Sequence, residues 1–104
     1  MKTILLVCSA GMSTSLLVTK MEQAARQVGD EVKIFALPFN KAHTVLEDVD
    51  LILLGPQVRF QKNAIDKMAA ERKNGPIPVS VIDMTDYGTM NGERVYNSAR
   101  YLLK

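Results

Sequence analysis

The chain has 104 residues, 47% of them apolar and 23% charged, with a formal net charge of +2. That length supports one modest core, and the composition is ordinary for a soluble globular protein. The charges are mixed along the chain, with no basic block and no aromatic–basic interleaving, which argues against nucleic-acid binding.

The elements alternate from the first residues onward. Thr3–Val7 is a short continuous apolar run, as expected of a strand buried on both faces. From Ser15 the apolar positions Leu17, Met21, Ala24 and Val28 trace a helical stripe, and Gly29 ends it. Val32–Leu37 reads as a second strand, stopped by Pro38. Asn40 is expected to cap a short helix running to about Glu47, with Val45 and Leu46 facing inward. Leu51–Leu54 is a third buried strand, closed by Gly55-Pro56. Val58, Ile65, Met68 and Ala69 mark a helix to about Lys73, with Asn74-Gly75-Pro76 as its stop. Val79–Ile82 is a fourth strand. Asn91 caps a last helix with Val95, Ala99 and Leu102 inward.

Four βα units with short connections predict an α/β fold. It is a three-layer sandwich around a four-stranded parallel sheet in the flavodoxin-like order 2-1-3-4. In such a sheet the ligand sits beyond the carboxyl ends of strands one and three, where the winding direction switches. Cys8 follows strand one and Gly55-Pro56-Gln57 follows strand three. One domain is expected over 1–104.

Cys8 is the only cysteine and His43 the only histidine. An internal disulfide and a Cys/His zinc site are therefore excluded, and a lone thiol suits a reducing cytosol. The apolar N-terminus superficially mimics a secretion or lipoprotein signal. It is too short, and the pattern runs on past Cys8 into structure, so both readings are set aside. No apolar run approaches the ~20 residues of a membrane helix.

The loop after Cys8 carries the chemistry. A lone cysteine at a strand end is usually a small buried hydrophobe. Here, however, Ser9, Ala10, Gly11, Met12, Ser13, Thr14 and Ser15 follow, small and hydroxylated, and no acidic residue occurs before Glu22. A strand, a loop and a helix in that order aim backbone N–H groups and a helix N-terminus at the loop's occupant. The same field favours a nucleophilic thiolate. A phosphoryl group on the sulfur would lie in an anion nest. Protein tyrosine phosphatases place an Arg six positions after the cysteine; that position here is the neutral Thr14. Without a guanidinium on the phosphoryl oxygens, a carrier fits better than a self-sufficient hydrolase. The Gly-Lys-Ser/Thr pattern of an ATP site and a Cys-x-x-Cys redox pair are both missing. No metal or cofactor is expected.

Val7-Cys8-Ser9-Ala10-Gly11-Met12-Ser13-Thr14-Ser15-Leu16-Leu17-Val18 resembles the signature of the IIB proteins of the bacterial phosphoenolpyruvate-dependent sugar phosphotransferase system (PTS), lactose/cellobiose type. Leu53-Leu54-Gly55-Pro56-Gln57-Val58 resembles a second block of that family, and Tyr87-Gly88 with Asn91-Gly92 a third. The likeness runs from about Lys2 to Leu103 and implies one IIB domain with a fold that also resembles low-molecular-weight phosphatases. It implies that Cys8 accepts a phosphoryl group from a phosphohistidine on a IIA protein. The group then passes to a sugar entering through the IIC permease, a β-disaccharide such as cellobiose or chitobiose. The backbone of Ser9 to Ser15 would cradle the phosphate. The expected protein is a cytoplasmic monomer that meets the inner face of the membrane only through IIC.

Two further readings remain. One is a cysteine phosphatase or arsenate reductase of the low-molecular-weight type, with Asp83 or Asp86 as acid. The other is an anion-binding module without catalysis. Asp83 and Asp86 are more simply turn residues, and His43 is an idle surface residue. Tyr87 suits either the site rim or the core. Arg59 and Lys62 suit either an acidic partner or plain solvent exposure. Met21, Met68, Met84 and Met90 read as core filling, whereas Met12 in the loop suits a partner contact.

Overall fold

The computed structural model describes residues 1–9 and 12–103, Met12 and Ser13 by their backbone alone. The described strands are β1 (Lys2–Cys8), β2 (Val32–Pro38), β3 (Leu51–Leu54) and β4 (Val79–Val81). They form one parallel sheet in the order β2-β1-β3-β4, as the sequence predicts. The helices are α1 (Met12–Gln27), α2 (Lys62–Ala70), α3 (Met84–Gly88) and α4 (Gly92–Leu102).

Period-two alternation along β1 and β3 divides the core. Ile4, Leu6, Leu51 and Leu53 pack under α1 and α4, against Leu17, Met21, Val95, Tyr96 and Ala99. Leu5, Val7, Ile52 and Leu54 face the other way, against Ala42, Val49, Val58 and Ile65. Both central strands are thus buried on both faces, which explains why they read as unbroken apolar runs. α1 ends in a Schellman closure: Gly29 has φ +77, its N–H reaches the Arg26 carbonyl, and the Asp30 N–H reaches that of Ala25.

Several expected boundaries move. α1 begins at Met12 rather than Ser15, so Met12–Thr14 form a helical turn, not loop. Val28 lies beyond the end of α1 and is exposed. Asn40 caps nothing: Phe39–Thr44 and Leu46–Asp48 are 3-10 turns, the first preceded by Pro38 with no side-chain cap. Val45 leaves helical geometry between them at φ −121, ψ 8. Val45 and Leu46 are half-buried against the second core, as expected of them.

The helix expected after Gly55 is also divided. Val58 is non-helical at φ −116, ψ 19, so Pro56–Gln61 is 3-10 and α2 starts at Lys62. α2 stops at Ala70 rather than Lys73 because the next residues are engaged elsewhere. Arg72 donates to the carbonyls of Leu46, Val49 and Gly75, while Glu47 accepts from the N–H groups of Lys73 and Asn74. Those bonds hold the Glu47 carboxyl below its ordinary value, the Lys73 N–H being the largest cause.

In α4 the buried residues are Gly92, Val95, Tyr96 and Ala99, whereas Leu102 at its last position is 37% exposed. Met21 is buried and Met68 and Met90 are half-buried, but Met84 is 64% exposed and fills no core.

Candidate functional site

The carboxyl ends of β1, β3 and β4 lie side by side. The Gly55 N–H donates to the Val7 carbonyl at 2.9 Å, and the Ile82 N–H to that of Leu54 at 2.8 Å. β1 has β2 on one side and β3 on the other, so this edge is the switch point where a parallel sheet binds ligands. Cys8 is the last residue of β1, paired in register with Pro38. Its side chain is 7% exposed, and its Sγ faces the Leu37 carbonyl oxygen at 3.9 Å.

α1 starts four residues after Cys8, at Met12, and its first turn holds no acidic side chain. The N–H groups of that turn have no partner within the helix and carry its positive dipole end. Of the expected cradle, Ser9 is exposed just past the strand and Ser15 is exposed on α1. Ala10 and Gly11 lie outside the described residues, as do the side chains of Met12 and Ser13, including the expected partner contact of Met12.

Thr14, expected in the cradle through its backbone, turns its side chain inward. It is 3% exposed, and its hydroxyl lies 3.0 Å from the Tyr87 hydroxyl, either oxygen able to donate. Tyr87 is buried as a member of the core cluster under α1 and α4, as the core reading expects, and its hydroxyl meets the first turn of α1. A Cβ at Gly55 would lie 3.5 Å from the Tyr87 ring, 3.7 Å from the Val7 carbonyl and 3.1 Å from the Gln57 side-chain oxygen. Gly55 thus keeps room where the ring, the Gln57 amide and the end of β1 converge.

The remaining candidates have structural duties. Asp83 caps α3, accepting from the N–H groups of Thr85 and Asp86 at 3.0 and 3.1 Å. Asp86 is buried and paired with Arg94 at 2.9 Å. Neither carboxyl is held free as an acid. Arg59 donates to the Pro56 carbonyl, Lys62 pairs with Asp66, and His43 is exposed. Asn91 caps α4 as predicted, its side chain accepting from the Arg94 N–H. The helix α3 has a signal that the periodicity misses: an acidic residue at its cap and another three positions on, Asp83 and Asp86.

A four-stranded parallel sheet in this order, with Cys8 at its switch point and a helix N-terminus just beyond, places the chain in the flavodoxin-like class of small α/β proteins. The comparisons narrow the class. Residues 3–98 match the family model described as the PTS system, lactose/cellobiose-specific IIB subunit, and the chain belongs to that family. It is 45% identical to the PTS oligo-beta-mannoside-specific EIIB component of Bacillus subtilis, over 99% of this chain and 97% of the relative. It is 42% identical to the PTS galactose-specific EIIB component of Lactococcus lactis subsp. cremoris, over 98% of this chain and 96% of the relative. The solution structure of a cellobiose-specific phosphotransferase IIB component from Borrelia burgdorferi superposes with a TM-score of 0.77. It is 39% identical, and the match covers 98% of this chain and 91% of that one.

The protein is thus a sugar-specific IIB component of the PTS, a sugar phosphotransferase component that works in partnership with IIA and IIC components. No helix among the described residues is long and apolar enough to cross a membrane.

Proposed function

We infer that Cys8 is the phosphoryl carrier, and that the chain acts as a protein-Nπ-phosphohistidine–sugar phosphotransferase through a phosphocysteine. The observation that carries this reading is the position of Cys8 at the end of β1, four residues before a helix whose first turn is free of carboxylates. The thiolate attacks the phosphorus of a phosphohistidine on IIA. An S–P bond forms as the P–N bond breaks, and the imidazole leaves with the electron pair and takes a proton. A sugar hydroxyl in the IIC permease then attacks the same phosphorus. The S–P bond breaks, the thiolate departs, and the hydroxyl proton passes to a base on the permease side. Both displacements need positioning and electrostatic support more than a base on this chain.

The backbone N–H groups of Ser9 to Ser15 are the proposed cradle. The acceptor is a β-linked disaccharide such as cellobiose, in keeping with relatives named for cellobiose and for oligo-beta-mannosides. The chain works as a monomeric single domain in the cytoplasm, reaching the membrane through IIC. A stand-alone phosphatase is disfavoured by the neutral, buried Thr14 and by the prior engagement of Asp83 and Asp86.

Intact-protein mass after incubation with phosphoenolpyruvate, the general phosphotransfer proteins and a IIA partner tests the reading. One added phosphoryl group is expected on the wild type and none on Cys8→Ala. Equal labelling of the two would remove Cys8 from the mechanism.

A further inference from the structure

We propose that Tyr87 is a positioning residue for phosphoryl transfer, acting through the hydroxyl of Thr14 to hold the first turn of α1 against the ends of β1 and β3. The inference rests on Cys8 as the carrier. Thr14 occupies the position where a phosphatase of similar loop would carry its Arg. Here that side chain is turned into the protein and bonded to a hydroxyl 73 residues away in sequence.

The tie is well placed to set loop geometry. Tyr87 is anchored in the core beneath α1, and its ring reaches the point where Gly55 meets the Val7 carbonyl, one residue before Cys8. It is held there by a helix that Asp83 caps and by the Tyr87 N–H bonded to the Asp83 carbonyl at 2.9 Å. Thr14 is β-branched and sits in the first turn of α1, so fixing its hydroxyl fixes its rotamer and with it the turn. The donors of that turn are the ones a phosphoryl group on Sγ would meet. An error of about 1 Å in such a cradle is enough to slow transfer substantially.

A purely structural role predicts something different. Two buried hydroxyls satisfy each other, and removing one leaves its partner unpaired and destabilising, whereas removing both is nearly neutral. Transfer would then follow stability. The positioning role separates the two.

The experiment measures the rate of label transfer from phospho-IIA to the full chain, varying the IIA concentration, beside thermal unfolding. Tyr87→Phe and Thr14→Val should each lower kcat roughly three- to tenfold with KM for IIA unchanged. Thr14→Ser, which keeps the hydroxyl, should stay within about twofold of wild type. The double variant T14V/Y87F should be no slower than either single one, yet should regain the unfolding temperature that the singles lose. A double variant whose rate recovers along with its stability would make the pair merely structural. So would a Tyr87→Phe rate equal to that of wild type. Either result overturns the proposal while Cys8 still takes label. Labelling of Cys8→Ala, or no labelling of wild type by any IIA, overturns the carrier reading and this proposal with it.

Discussion

Gly92 opens α4 directly against Lys20 of α1: a Cβ at Gly92 would stand 2.5 Å from the Lys20 Cβ, 2.6 Å from its carbonyl carbon and 2.7 Å from the Met21 nitrogen. Two of those atoms are backbone, so no side-chain movement relieves the clash. The two helices that cover one face of the sheet meet where only hydrogen fits.

Gly92→Ala should therefore destabilise the fold by about 1–3 kcal/mol, read as a lower denaturant midpoint. Gly55→Ala should cost under about 1 kcal/mol, because the nearest atom to its Cβ is the tip of the flexible Gln57 side chain. Equal losses in the two variants would contradict this account of α4 packing.

The carboxylates after β4 should behave as structural groups. Asp83→Ala is expected to lose about 1 kcal/mol through the cap of α3. Asp86→Asn should lose no more than about 1 kcal/mol, since its Arg94 partner is largely exposed. The wild-type chain should release no phosphate from an aryl phosphate. A measurable hydrolysis rate that disappears in Asp83→Ala would bring back the phosphatase.

Alkaline pH should weaken the end of the molecule opposite the site. The Tyr96 phenol donates to Asp30 at 2.8 Å, and burial, helped by that bond and the Asp30 charge, pushes its pKa up to about 12. A raised folded value means that the stabilisation is complete below the unfolded value near 10 and is lost as pH climbs from there towards 12. The loss should be on the order of 2 kcal/mol. Urea unfolding of wild type and Tyr96→Phe at pH 8 and pH 11 checks it: the wild type should fall further, and parallel behaviour would exclude Tyr96 as the source.

Arg72 is expected to matter more than an ordinary surface arginine. It donates to three carbonyls, on Leu46, Val49 and Gly75, and so joins the segment before β3 to the turn after α2. Arg72→Ala should cost about 2–3 kcal/mol, and Arg72→Lys should recover only part of it because an ammonium lacks the planar fork. A midpoint unchanged in Arg72→Ala would show that the three bonds add nothing to their replacement by water.

The sheet was legible because its central strands are buried on both faces, so Ile4–Val7 and Leu51–Leu54 carry no polar interruption. The order of strand, short connection and helix around Cys8 was legible from residue type, since the apolar run stops at Cys8 and α1 begins at Met12. The short elements were not. Met84–Gly88 is five residues, too few to show a helical period, and only the spacing of Asp83 and Asp86 betrays it. The 3-10 turns around Val45 depend on a backbone break that propensity does not report. Tyr96, rather than Leu102, is buried because α4 turns the sequence neighbours Val95 and Tyr96 both inward beside Ala99. The contact of Thr14 with Tyr87 spans most of the chain, and no local pattern announces it.

That contact also fences the chain off from a neighbouring chemistry. Acquiring a hydrolase's cation would mean placing an arginine at Thr14, where the slot is closed and a phenol already occupies its far side. A guanidinium there would be stripped of water against an aromatic core unless Tyr87 changed as well. A guanidinium at position 14 therefore calls for two replacements rather than one, the second at Tyr87.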